Sequence, residues 1–333
     1  MQPQLPDGTK LKKTAARRNL WFWAAVFIGA LVVTAAVVMS TRRLLRCSNT
    51  NFDLAFYVRI VWGLAYGDRF NPLIGAHDLG LHLSPVLYVF VPFSLFLPIP
   101  KMLLTAQAIV LGGCVPLVYR IALRKTGRVM IGLAFAMAWA LFPAVLQIGS
   151  KEFHPGTLAL LPLLAAYDAM DRKRFFLATL LLFFAALCRE DVALVASAAG
   201  VLMFFMGKGS SRLPGICVAA GGLLYFLVYV VAVQPLFLPP RGSIDEHFSQ
   251  FGHSAPDVLR HIITHPAALL PHFLSLDKLF YVAGLLLPLC FLPLLSPKWL
   301  IPAAAPLFFN LLSSFPDATR VESHYATLLV PSL

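Results

Sequence analysis

The sequence carries little charge and lacks the short motifs of nucleotide-binding proteins. Only 13% of its 333 residues are Asp, Glu, Lys or Arg, whereas soluble domains carry about 25%. Hydrophobic residues make up 59% and the mean hydropathy is +0.78, so the composition excludes a soluble globular protein. No Gly-x-Gly-x-x-Gly motif, P-loop or internal repeat occurs, and nothing therefore indicates an ATP-driven machine.

Cysteine is also scarce. The five cysteines include no Cys-x-x-Cys pair, which argues against a disulfide framework and against a cysteine-based zinc site. The formal net charge is +12, but the basic residues are scattered between apolar runs. We interpret this charge as a signal of membrane topology and expect no nucleic-acid partner.

Long uncharged runs predict the architecture, because about 20 apolar residues cross a bilayer core as a helix. We predict nine spans, at 19–41, 102–119, 129–150, 155–167, 175–188, 192–207, 213–240, 279–297 and 299–316. A tenth begins near Tyr325 and stops at Leu333 in mid-run, so we expect a truncated chain or the first part of a longer protein. The predicted fold is an all-α polytopic membrane bundle, with a basic cytoplasmic N-terminus at 1–18 and a single transmembrane domain over 19–333.

The charge distribution predicts the orientation. Segment 84–99 is apolar but short and interrupted by three prolines, so we do not count it as a span. Omitting it places basic clusters such as 172–174 on the side of the basic N-terminus, as the positive-inside rule requires. The long loops 42–101 and 241–278, all nine histidines and twelve of the fifteen acidic residues then lie outside. We expect the function on this extracytoplasmic face; the alternative is that short cytoplasmic loops leave no room for such residues.

The first outer loop begins with a predicted helix. Apolar residues at 54, 58, 61, 62 and 65 recur with helical spacing, and Gly67 ends the run. The pattern predicts an amphipathic helix on the outer membrane surface. Asp53 lies in its first turn, where the helix dipole favours a carboxylate. Asp53 is either a helix cap alone or a functional carboxylate at the interface.

Other titratable residues occur where the outer turns meet apolar runs. Glu152 and His154 occupy a short turn in which charge is costly unless it is used or solvated. Arg189 and Glu190 stand in a similar turn, next to Asp191. Arg189 either clamps a phosphate, which its guanidinium matches with two hydrogen bonds, or is neutralised by the two carboxylates.

Three more candidates come from the outer loops. His82 follows His77 by five positions, a spacing that a helix does not present on one face, so phosphate or a proton is favoured over a metal. Arg320 and His324 stand at the outer mouth of the last span and are candidates for an anionic head group. Loop 241–278 matches no hydrolase motif, and we expect it to cover the substrate as a flap.

Six short motifs follow one another along the chain: Phe52-Asp53-Leu54, Trp62-Gly63-Leu64-Ala65-Tyr66-Gly67, His82-Leu83-Ser84-Pro85, Glu152-Phe153-His154-Pro155, Arg189-Glu190-Asp191 and Ser323-His324-Tyr325. Together they resemble a bacterial family of multi-pass membrane proteins classed as a domain of unknown function. The resemblance covers roughly residues 48–333. That family in turn resembles the C-type glycosyltransferases (GT-C), which take a sugar from a polyprenyl-phosphate carrier on the outer face of the membrane.

The resemblance implies roles for the candidates. Asp53 and Glu152 would be the catalytic acidic residues, with Asp53 as the base or a metal-associated carboxylate. The Asp-x-Asp or Asp-Glu pair of those enzymes is missing at Asp53, so a divalent metal cofactor is only weakly implied. The implied substrate-binding residues are His82, His154, Arg189, Glu190, Arg320 and His324.

We therefore expect a glycosyltransferase-like protein of the bacterial inner membrane. It would move a sugar from a polyprenyl-phosphate carrier to an acceptor on the extracytoplasmic face. A transporter or lipid flippase is the first alternative, whose signs would be inverted repeats and charges near the middle of the membrane. A non-catalytic envelope scaffold, in which Asp53 and Glu152 are only caps, is the second.

Overall fold

The chain is helical apart from one short two-stranded ribbon, in a computed structural model that describes residues 8–48, 52–237 and 247–333. The α-helices are α1 (Gly8–Leu45), α2 (Phe52–Tyr66), α3 (Val91–Ser94), α4 (Ile99–Thr126), α5 (Val129–Leu141), α6 (Pro143–Ser150), α7 (Pro155–Leu158), α8 (Leu160–Asp171), α9 (Phe175–Ala186), α10 (Val192–Met206), α11 (Leu213–Leu227), α12 (Ala255–Thr264), α13 (Leu270–Phe273), α14 (Leu276–Leu286) and α15 (Ile301–Leu312). Strands β1 (Phe70–Asn71) and β2 (Ala76–His77) pair antiparallel. Short 3-10 turns and one π-helical turn, at Val228–Val233, join or extend the helices.

Three helical segments are long and apolar enough to cross a membrane: Asn19–Leu45, Ile99–Thr126 and Gly209–Leu236. Two bent pairs bring the number to as many as five. Helices α5 and α6 are bent by 47° at Pro143, and Pro266–Phe273 is bent by 68° against Leu276–Leu289. The described residues thus form an all-α membrane protein with three to five candidate spans, fewer than the nine or ten predicted.

The other predicted spans form helices that are too short for a straight crossing. Helices α8, α9 and α15 have 12 residues each and α10 has 15, which corresponds to roughly 18 to 23 Å, against about 30 Å for the hydrocarbon core. The predicted span 279–297 overlaps the second bent pair, but α14 itself ends at Leu286 and proline-containing 3-10 turns follow. Hydropathy identified these apolar segments, but prolines within them and charged residues at their ends keep their helices short. Segment 84–99 contains only a ten-residue apolar helical stretch, Pro85–Ser94.

Glycines allow two helix pairs to approach closely. A Cβ on Gly112 of α4 would lie 2.4 Å from the carbonyl oxygen of Gly29 in α1, and a Cβ on Gly29 would lie 2.5 Å from that of Gly112. Helices α10 and α11 meet in the same way, since a Cβ on Gly200 would lie 2.4 Å from the backbone nitrogen of Ala219. Small residues at such crossings let backbones pack directly, which favours helix association in membranes.

Helix α2 confirms the helix predicted in the first outer loop, but the face that it buries differs from the predicted one. Leu54, Phe56, Tyr57 and Val61 are buried, whereas Trp62 is 43% exposed. The buried side packs into a core shared with α4, α8, α9 and α10. The helix therefore packs against the bundle through a face that overlaps the predicted stripe only in part, and its place at the membrane surface stays a prediction. The aromatic residues of its outer side stay exposed.

Charges that the sequence assigned to the cytoplasm lie together at one end of α4 and α8. Arg124 pairs with Asp168 at 2.5 Å and with Asp171 at 2.7 Å, and Lys125 also contacts Asp171. Gln107, which contacts the candidate site, lies 17 residues earlier in α4, or about 25 Å along the helix. The ion-pair cluster and the candidate site are therefore at opposite ends of α4.

Candidate functional site

A cavity of about 1750 Å³ collects the titratable residues singled out from the sequence. All eight candidates line it: Asp53, His82, Glu152, His154, Arg189, Glu190, Arg320 and His324. Its remaining wall is largely apolar and comes from α11, the π-helical turn, α12 and α15, with Phe226, Val230, Val258, Ile262, Phe308 and Phe309. The cavity thus presents both polar groups and an apolar surface to one ligand.

Gln107 holds the turn that carries Glu152 and His154. Helix α6 ends at Ser150 and Pro155 starts α7, so the chain between them is extended. The Gln107 amide donates to the carbonyls of Ile148 at 2.8 Å and Glu152 at 3.2 Å, and its oxygen accepts from the His154 N–H at 3.1 Å. Sequence reasoning missed Gln107; the available signal was an isolated amide within the uncharged run 102–119.

Glu152 connects this turn to the start of α2. Its carboxylate accepts a hydrogen bond from the Leu54 N–H at 3.0 Å, and its side chain is buried. A carboxylate at a helix N-terminus satisfies an otherwise unpaired N–H and is favoured by the helix dipole. Glu152 therefore fixes the first turn of α2, and with it the position of Asp53.

Asp53, His154 and His324 meet inside the cavity although they are far apart in sequence. Asp53 Oδ2 lies 3.1 Å from His154 Nε2, and the His154 and His324 rings stack with centroids 3.8 Å apart. Burial opposes ionisation of Asp53, but the contact with His154 and the positive charge of nearby groups, including Arg189, keep the pKa of Asp53 below its ordinary value. Burial, followed by the neighbouring His154 and Arg189, lowers the pKa of His324 well below its ordinary value. Among the described residues, this trio is the group whose donor atoms could surround a metal ion.

The turn after α9 is joined to the first outer loop. Glu190 contacts His82 Nδ1 at 2.7 Å and accepts the Leu83 N–H at 2.9 Å. Arg189 is buried and makes a two-point pair with Asp191, in which its Nε lies 2.7 Å from one oxygen and its Nη2 contacts the other. Burial raises the pKa of Asp191, but Arg189 outweighs that effect and holds it below the ordinary value.

Arg189 thus has a carboxylate partner, which is Asp191 and not Glu190. Its guanidinium also lies over the Gly156 backbone, where a Cβ would be 3.5 Å from the guanidinium carbon. Arg320, in contrast, is 64% exposed and pairs with Asp317 at 2.8 Å at the edge of the cavity. A role for either arginine in phosphate binding stays a prediction.

Two further cavity residues were not among the candidates. Tyr57 follows Asp53 by one helical turn and stacks near the His82 ring with centroids 6.4 Å apart; burial raises its pKa. His247 contacts Tyr325 Oη at 3.1 Å, and burial lowers the pKa of His247 to about 4. The i, i+4 spacing from Asp53 was the available signal for Tyr57. His247 belongs to the predicted flap, of which residues 241–246 lie outside the described residues.

Comparison with known proteins identifies the family. Residues 43–333 match the family model "Predicted membrane protein (DUF2079)", and the chain belongs to that family. No curated protein and no solved structure matches the chain. The match agrees with the membrane class read from composition and covers every residue that lines the cavity.

Proposed function

We propose that this member of the "Predicted membrane protein (DUF2079)" family is a glycosyltransferase-like enzyme that uses a polyprenyl-phosphate sugar as donor. One observation carries the proposal: carboxylates, histidines, arginines and an apolar wall share one cavity of about 1750 Å³. A lipid-linked sugar phosphate needs all of these, since its chain is apolar, its phosphate is anionic and its transfer requires a base.

Asp53 is the base in this proposal. It is 37% exposed in the cavity and, with a lowered pKa, it is ionised at neutral pH. The acceptor hydroxyl gives its proton to Asp53 while its oxygen bonds to the anomeric carbon of the sugar. The bond from that carbon to the phosphate oxygen breaks, and its electron pair leaves with the polyprenyl phosphate. Glu152 acts as a positioning residue through the Leu54 N–H.

Positive and hydrogen-bonding groups would bind the leaving phosphate. Arg320 is the exposed cation at the cavity edge, and His82 and His324 line the same space. Arg189 contributes the field of a buried charge, partly balanced by Asp191. Stabilisation of charge that develops on a leaving group is among the largest contributions that a site makes to catalysis.

The proposal places the cavity on the extracytoplasmic side of a bacterial inner membrane. The clustered cations Arg124 and Lys125 lie at the far end of α4, in agreement with the positive-inside rule. The apolar wall would receive the polyprenyl chain from the bilayer.

Native mass spectrometry of the detergent-purified protein tests the proposal. In the Asp53→Asn variant we expect co-purified polyprenyl phosphate that still carries its sugar, because the base is missing. Asp68→Asn is the matched control, since Asp68 lies in the same outer loop but is exposed and pairs with Arg59 outside the cavity. It should behave like the wild type and hold sugar-free carrier. Bulk phospholipid alone in all three proteins, under conditions in which a known polyprenyl-dependent transferase keeps its carrier, would refute the proposal.

A transporter or flippase is the second candidate, favoured by the two bent helix pairs. Broken helices line substrate paths in many transporters. Trans-bilayer movement of a labelled polyprenyl phosphate in proteoliposomes, without any sugar transfer, would support it. If neither activity is present and a folded Asp53→Asn/Glu152→Gln variant keeps envelope glycosylation intact, the scaffold alternative holds.

A further inference from the structure

We propose that Asp53, His154 and His324 form a binding site for one transition-metal ion of the Zn²⁺ type. The inference stands on the geometry of the cavity and does not depend on the transfer reaction. The three residues come from separate parts of the chain: the first turn of α2, the turn before α7 and the start of the 3-10 segment His324–Ser332. One ligand atom from each lies within 4.8 Å of the other two. An ion between atoms so placed has ligand distances of about 2 to 3 Å, and a small inward movement reaches the roughly 2.0 to 2.2 Å of zinc–nitrogen and zinc–oxygen bonds.

The buried His154 ring supplies the second observation. Its side chain is 7% exposed, and its Nε2 has no aligned hydrogen-bond partner in the described part of the chain. Its Nδ1 lies 3.3 Å from the Glu152 carbonyl oxygen. Without a metal, the Nε2–H tautomer of His154 donates to the Asp53 carboxylate, 3.1 Å away. In the other tautomer the proton on Nδ1 points to the Glu152 carbonyl, so the Nε2 lone pair and the Asp53 carboxylate both face a cation that binds between them.

The same arrangement is typical of metal-bound histidines. A ligating imidazole usually donates its other N–H to a carboxylate or a backbone carbonyl, which fixes its tautomer and its orientation. Here the backbone carbonyl of Glu152 is the acceptor next to His154 Nδ1, and the Gln107 amide donates a hydrogen bond to the same carbonyl. His154 is thus oriented by hydrogen bonds from Gln107 and to the Glu152 carbonyl, with its Nε2 turned towards Asp53 in the cavity.

The stacked ring of His324 fits a metal ligand better than an ion-pair partner. Two parallel imidazolium rings with centroids 3.8 Å apart would repel each other. The His324 ring is partly buried and lines the cavity beside His154, and neutral imidazole is the form that binds a metal. A carboxylate completes the set at Asp53.

The donor set indicates which metal. Two imidazoles and one carboxylate suit Zn²⁺ and related first-row ions, whereas Mg²⁺ and Ca²⁺ prefer oxygen ligands alone. Three protein ligands are also the number found in catalytic zinc sites, where the fourth position takes water or substrate. In this chain all three ligands line the large cavity, so a fourth ligand would come from the cavity contents.

Metal analysis of the full chain, purified with a tag that lacks histidine, tests the inference. After chelator treatment and titration with Zn²⁺, we expect one ion per chain by elemental mass spectrometry and little competition from millimolar Mg²⁺. His154→Gln and His324→Phe should each weaken Zn²⁺ binding at least tenfold in competition with a chromogenic chelator. His265→Phe is the control, because His265 is exposed and lies outside the cavity lining, and it should bind like the wild type.

Co²⁺ substitution of the wild type keeps the test decisive if a variant fails to fold. Cobalt held by nitrogen and oxygen in a four-coordinate site has strong visible absorption, which six-coordinate cobalt in water lacks. Sub-stoichiometric Zn²⁺, a spectrum like that of aqueous cobalt, or equal affinity in His324→Phe and His265→Phe would overturn the inference. A metal-free protein that retains a polyprenyl carrier would refute this site alone, and a metal-bound protein that retains only phospholipid would refute only the proposed function.

Discussion

Replacing Gly112 by alanine is expected to push α1 and α4 apart, because the new methyl group would lie 2.4 Å from the Gly29 carbonyl oxygen. That distance is about 1 Å shorter than an ordinary van der Waals contact of about 3.5 Å. The neighbouring atom is backbone, so it cannot rotate away. The adjacent Gly113 offers a matched control, since a Cβ there would meet only a Leu161 methyl at 3.7 Å.

The two substitutions share one favourable effect and differ in one unfavourable effect. Each removes a helical glycine, which stabilises a helix by about 0.8 to 1.0 kcal/mol. Gly112→Ala adds overpacking, which costs about 1 to 3 kcal/mol. Gly113→Ala should therefore raise the free energy of unfolding slightly, and the difference between the two variants should be about 1 to 3 kcal/mol, with Gly112→Ala the less stable.

Equilibrium unfolding of the detergent-solubilised protein, with added denaturing detergent and helicity as the signal, measures this difference. Gly221→Ala in α11 is a second control, because nothing lies within 4 Å of its Cβ position. Equal stabilities for Gly112→Ala and Gly113→Ala would refute the close crossing of α1 and α4.

Three further predictions concern the surroundings of the cavity. Glu152→Ala should lower the free energy of unfolding by about 1.5 to 3 kcal/mol, since it removes a charged acceptor from the Leu54 N–H. Glu152→Gln keeps an acceptor oxygen and should cost less than half of that. Equal losses for the two variants in chemical denaturation would contradict the capping role. Gln107→Leu should leave the buried His154 N–H unpaired, which lowers the free energy of unfolding by about 1 to 3 kcal/mol and speeds hydrogen exchange at the His154 amide. Unchanged exchange at that amide would contradict the role of the Gln107 side chain in holding the turn. Burial lowers the pKa of His247 in the folded protein to about 4, so between pH 4 and about 6.5 the unfolded chain binds more protons than the folded one. The free energy of unfolding should therefore fall on acidification by up to about 1.4 kcal/mol per pH unit. His247→Gln should remove that part of the pH dependence of thermal unfolding, and identical slopes for the variant and the wild type would disprove the prediction.

Much of the candidate site could be predicted because polar residues are conspicuous in an apolar chain. Glu152, His154 and Arg189 stood out as titratable residues in short turns next to apolar runs, and Asp53 stood out as a carboxylate in the first turn of a predicted helix. All four line the cavity. Gln107 did not stand out, since an uncharged amide leaves the hydropathy of its span almost unchanged. Its importance comes from three hydrogen bonds to a turn more than 40 residues later.

The sequence by itself determined the class of this protein, a helical membrane protein, and the places along the chain where charge occurs. Both follow from composition and local hydropathy, which are properties of consecutive residues. Only the tertiary structure decided that Asp53, His154 and His324 meet, that Asp191 and not Glu190 pairs with Arg189, and which face of α2 is buried. Those outcomes depend on side-chain geometry and on how the helices pack against one another, which composition and local hydropathy do not contain.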